Sequence, residues 1–286
     1  MVKLIGRSFK ELGHKDPLRL AGATAFFTTF ALPAILVIII QLLGLIFTQK
    51  ESNDQVYEKL NSYVGPASAS HLINVLKGFE NIADSQIAIF FGFAFLIFIA
   101  TTLFKVIKNS INEIWNVKIV QQLTIRVIIS NRFRELIVIL SAGILFLFTL
   151  FLEAMQSMAT EEFIQSSKLA RIIFNQWTSF MISTLIVTIW FGIIFYFLPD
   201  GRIPARICFA GAFMTSILFN TGKVVIKWLL VSDNLNIIFG KSSAVVLLLL
   251  FVFYSSLMFY FGATYTKLLA DNKHIPVRPL PHAAAV

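Results

Sequence analysis

Lys223 and Lys227 stand four residues apart in an otherwise apolar run, next to Asn220, Thr221 and Gly222. That spacing puts both ammonium groups on one face of a helix. A cation at the middle of a bilayer costs at least about 2.5 kcal/mol, so it must reach an interface, water or an anion. Lys227, within one turn of the outer end of the run, reads most simply as snorkelling to the headgroups. Two readings fit the deeper Lys223: it snorkels as well, or it faces a polar cavity and holds an anionic group, with Asn220 as a neutral hydrogen-bond partner and Lys227 nearer the outer mouth. A Gly-bearing polar step inside a hydrophobic segment predicts a broken helix, which in transporters marks a binding site. The plainer alternative is a mild irregularity packed against a neighbour. Thr24 and Thr28 share a face of an earlier apolar run, and Pro33 frees a carbonyl that can point into a central cavity. The alternative for the threonines is a hydrogen bond back to their own helix.

The search for catalytic groups assigns none. His14, His71, His274 and His282 have no Cys, His or carboxylate at metal-ligand spacing, and Cys208 has no His near it in sequence. A metal-dependent nuclease needs clustered carboxylates. Glu11, Asp16, Glu113, Glu135, Asp200 and Asp271 are instead spread along the chain. No metal and no cofactor are expected. Trp115, near Asn112 and Glu113, reads as an interfacial anchor, and those two as groups that fix a loop or cap a helix. Asp200, after Pro199, reads as part of a turn with Gly201 or a cap for the next helix.

The elements that position these residues are membrane helices. The chain has 286 residues, 57% of them hydrophobic and 14% charged, with a mean hydropathy of +0.79. Soluble domains carry about a quarter charged residues. Disorder, collagen and disulfide scaffolds are excluded as well, the last by a single cysteine. Thirty Phe in long uncharged runs fit helices, whereas barrel strands would alternate apolar and polar positions. The fold expected is all-α, a single domain over 1–270 with six spans at about 20–48, 85–104, 136–152, 174–198, 207–230 and 243–265, and short interfacial amphipathic helices.

Asp16 and Pro17 start the first helix, whose length requires tilt or a kink at Pro33. Leu4, Ile5, Phe9 and Leu12 mark an amphipathic helix before it, and Leu72, Leu76 and Phe79 another after it. Gly211 with Thr215, and Ala212 with Ser216, give the fifth span a face on which a neighbouring backbone can approach closely. The tail, 271–286, with Pro276, Pro279 and Pro281 before an Ala run, is expected to be disordered.

Charge gives the orientation. Sixteen Lys and Arg fall on one side of the spans and six on the other, which predicts both termini in the cytoplasm. The net charge of +9 then reflects topology and anionic lipid; nucleic acid is not an expected partner, membrane lipids are. The first apolar run is about twice the length of a signal-peptide core, so it reads as a span.

Several motifs resemble one family. Ala23 to Pro33, with its Thr and Phe pairs, resembles the opening signature of the YihY/BrkB membrane proteins, filed in older naming as ribonuclease BN-like. Asn112-Glu113-Ile114-Trp115-Asn116 is similar to the family's LNxIW stretch, Tyr196 to Pro199 with Asp200 to its YxxLP helix end, and Phe239-Gly240 with the following span to its last signature. One position departs: many members have Gly-Ala-Glu where this chain has Gly262-Ala263-Thr264. The resemblance implies a bacterial inner-membrane protein of six helices and implies no reaction. Three functions follow for testing: a transporter or flippase-like protein for an anionic amphipathic envelope molecule, an enzyme at the cytoplasmic face such as a ribonuclease, and an envelope scaffold that transports nothing.

Overall fold

The computed structural model describes residues 2–43, 86–120, 125–163, 168–230 and 243–285, with a few helical positions between 54 and 74. In chain order the described elements are α1 (Val2–Gly13), α2 (Pro17–Leu43), α3 (Gln86–Ile114), β1 (Val117–Ile119), α4 (Ile125–Phe163), α5 (Lys168–Phe197), β2 (Gly201–Arg202), α6 (Ala205–Leu230), α7 (Ser243–Asn272), β3 (Arg278–Pro279) and β4 (Ala283–Ala285). Helices dominate, as the composition requires. Among the described residues, Ile129–Leu152, Gln176–Phe197 and Val245–Asn272 are long and apolar enough to cross a membrane.

The exposed side chains identify the solvent these helices are built for. Ile129, Phe133, Leu136, Leu140, Ile144, Phe148 and Phe151 recur on α4 every three or four residues, and all are exposed. In water such a stripe would face a core; here it faces outward, as a lipid-facing surface does. The helix α4 starts at Ile125, well before the uncharged run expected at 136–152. Its early charges are accommodated by pairing: Arg132 bonds Glu135 one turn on at 2.9 Å, and Arg134 turns inward.

Helix α7 is the centre of the bundle and is packed by α1, α2, α3 and α6. Its contact with α6 is a close one. A Cβ placed on Gly211 would lie 1.8 Å from Thr266 Oγ1, and one on Gly262 would lie 1.7 Å from Thr215 Oγ1. Each helix thus offers a glycine to the other's threonine, the close approach anticipated for Gly211 and Thr215. The helix α6 is unbroken from Ala205 to Leu230. The polar step at Gly222 does not interrupt it, because this glycine makes room for a neighbour instead: the Tyr254 hydroxyl of α7 occupies the space its Cβ would take.

The other correction concerns the tail. Residues 273–285 are ordered against the bundle, with β3 pairing antiparallel to β2 and β4 to β1. Prolines here do not prevent pairing, since Pro279 sits in a two-residue edge strand where a missing N–H is tolerated. Gly201 allows the approach: a Cβ there would come within 2.6 Å of Val277 Cγ1 and 3.0 Å of Val117 Cγ2. Helix α1 is formed as expected and lies on α7, with Leu12 buried and the Phe9 ring 4.4 Å from that of Phe261. The best-packed core gathers at this end, around Trp115, Phe195, Leu198, Tyr260 and Phe261.

Candidate functional site

The polar residues of the fifth span come together with α5. Asn220 is buried, and its amide is held from both sides: Ser183 Oγ donates to its Oδ1 at 2.9 Å, and its Nδ2 donates to Thr184 Oγ1 at 3.1 Å. One turn away Thr188 and Ser216 hydroxyls share a hydrogen bond of 2.7 Å. Buried amides and hydroxyls without water must pair with each other, and here they form a file between two hydrophobic helices. Lys223 follows Asn220 by three positions and is half-buried.

Thr24 is buried, donates to Leu20 O at 3.0 Å and shares a hydrogen bond with Tyr260 on α7. Tyr254, which faces Gly222, is six residues from Tyr260 on that helix. Thr24 therefore sits about 9 Å along α7 from the level of Gly222, at 1.5 Å per residue. Thr28 is half-buried on α2. The side chains of Pro33 and Lys227, and Gly240 altogether, lie outside the described residues.

A second polar constellation lies at the packed end, around Asp200. Its side chain is wholly buried. Lys108 Nζ reaches both carboxylate oxygens, at 3.1 and 3.0 Å. Asn112 makes a reciprocal pair, its Nδ2 donating to Oδ2 at 2.9 Å while its Oδ1 accepts from the Asp200 backbone N–H at 2.9 Å. His282 Nε2 lies 3.1 Å from Oδ1, and Arg134 Nη1 3.8 Å from the same oxygen. The Asp200 carbonyl accepts from Leu280 N–H at 2.8 Å. One carboxylate thereby ties α3, α4, the turn after α5 and the tail.

Burial pushes the Asp200 carboxyl up, but the Lys108 charge and the hydrogen bonds from Lys108, Asn112 and His282 outweigh it and hold the carboxyl below the usual range. An ionised, saturated carboxylate of this kind is a poor general base and has no open position for a metal. Among the described residues, no group of three His, Cys, Asp or Glu could hold a metal ion. The chemistry available here is attachment.

Two sequence readings change at this end. Trp115 is no interfacial anchor: it is buried, and its indole N–H donates to Ala263 O at 3.0 Å, filling the centre of the packed end. Asp200 does follow Pro199 into a turn, but its side chain anchors the cluster and caps no helix. Asn112 is 88 positions from Asp200 in the chain and meets it only through the fold, as do Lys108, Arg134 and His282, none of which the sequence marks as its partner. The sequence signal for Lys108 and Asn112 is a cation and an amide four residues apart near the end of α3; Arg134, inside α4, and His282, in the tail, carry none.

Outward-facing apolar stripes, a buried polar file between helices and a pinned terminal end define a helical integral membrane protein. The chain belongs to the family described as Virulence factor BrkB, which matches residues 8–286. It is also similar to a protein named UPF0761 membrane protein from Saccharophagus degradans (strain 2-40 / ATCC 43961 / DSM 17024), at 22% identity over 278 residues. That alignment covers 94% of this chain and 60% of the relative, so the chain spans less than two thirds of that protein's length. No solved structure matches the chain.

Proposed function

We propose that this protein is a transporter or flippase-like protein of a bacterial inner membrane, moving an anionic amphipathic envelope molecule through a bundle of six spans. The observation that carries the reading is the buried polar file on α5 and α6, which ends one turn from the half-buried Lys223. Apolar helices need no such file for stability, since interhelical hydrogen bonds in membranes contribute only about 0.6 kcal/mol on average. A row of hydroxyls and amides leading to an ammonium group is instead a set of partners that an anionic headgroup could exchange with as it passes. The bias of sixteen Lys and Arg against six supports both termini on the cytoplasmic side, which places Lys223 towards the outer leaflet.

The test is translocation of a fluorescent phosphatidylglycerol in proteoliposomes. Lys223→Met should abolish movement while the protein stays folded and inserted, and Lys227→Met should have a milder effect. Equal tolerance of both changes would contradict the role given to Lys223.

A further inference from the structure

Between α3 and α4, at the end of the bundle where the tail is pinned, lies an open pocket of about 390 Å³, within the range of small-molecule sites. Its lining changes character along α3. Phe98, exposed and apolar, stands at one end of the α3 lining; Thr101, Lys105 and Asn109 follow along the helix, and Ile119 and Arg132 complete the wall. From Phe98 to Asn109 is about 16 Å along the helix axis, roughly half the thickness of a hydrocarbon core.

The charges in this pocket do not cancel. Lys108 is committed to Asp200, and Glu135 to Arg132. Arg132 uses one N–H for that pair out of five. Lys105 is exposed and has no partner among the described residues, so the pocket carries an unspent cation beside a partly free guanidinium.

We infer that this pocket binds the phosphate-bearing headgroup of an anionic phospholipid in the leaflet at the basic end, with Lys105, Arg132 and Asn109 on the phosphate and Phe98 against the first carbons of its chains. Phosphate alone would satisfy the cations, but it would leave the apolar end of the pocket without an occupant. The site is separate from the Lys223 region and stands whether or not the protein transports anything.

The experiment is native mass spectrometry of the purified, delipidated full-length chain titrated with phosphatidylglycerol, with phosphatidylcholine of the same chain length, and with inorganic phosphate. One phosphatidylglycerol should be retained about tenfold better than phosphatidylcholine, and equimolar phosphate should not displace it. Lys105→Gln with Arg132→Gln should reduce that retention about tenfold. Lys10→Gln with Lys273→Gln, which removes the same charge from exposed positions at the same end, should leave it unchanged. Lys105→Gln alone, at a side chain with no partner to lose, should still weaken it severalfold if the double variant does not fold. Equal retention of the two lipids, displacement by phosphate, or equal loss in both double variants would overturn the assignment.

Discussion

Asp200 shows how much a single side chain can organise. Its carboxylate is fully buried against Lys108, Asn112 and His282, with Arg134 just beyond. Removing one member of such a buried group leaves the others charged and unpaired, at a cost of about 3–5 kcal/mol. Asp200→Asn should therefore lower thermal stability in detergent by that order and release the tail, seen as faster proteolysis after Asn272. The carboxyl is held below its ordinary value, so its stabilising contribution is complete above about pH 4 and is lost as pH falls through the lowered value. The wild type should lose stability over that acid window, and Asp200→Asn should show a flatter profile there. Neither role was legible in the chain, where Asp200 is 92 positions from Lys108 and 82 from His282. A Pro-Asp-Gly step signals a turn, and it does make one; what its side chain meets is decided by packing.

At the scale of elements, periodicity and length were the dependable guides. The start of α2 at Pro17 follows from the Asp-Pro step, and the amphipathic α1 and the small-residue face of α6 follow from residue spacing. The errors came where one residue type serves two purposes. Gly222 beside polar residues predicts a weakened helix, yet glycine in a membrane helix also admits a neighbour, and Tyr254 takes that space. Three prolines before an Ala run predict disorder, although short edge strands accept both. The glycine contacts between α6 and α7 give a direct test. A methyl group on Gly211 would meet Thr266 Cβ at 2.8 Å and its backbone Cα at 3.2 Å, so a side-chain rotation alone cannot relieve it. Gly211→Ala should destabilise the protein by about 1–3 kcal/mol, measured as a lower thermal midpoint in detergent, while the same change at Gly6, which has open space around it, should have little effect.

The whole molecule combines a tightly packed basic end with helices whose outer faces are apolar. Composition made the membrane class legible, and the family match covers residues 8–286. Function is less legible, because the groups on which the proposal rests, Asn220 with Ser183 and Thr184, come together only across a helix pair. The role proposed for Asn220, its partners on α5 and Lys223 is movement of an anionic amphiphile and not cleavage of a substrate. The most direct measurement is one reconstituted sample assayed both for leaflet exchange of labelled phosphatidylglycerol and for RNA cleavage with added divalent metal. Exchange should run well above that of protein-free vesicles, with no cleavage; cleavage that copurifies with the chain, with exchange no faster than in protein-free vesicles, would overturn the proposed role.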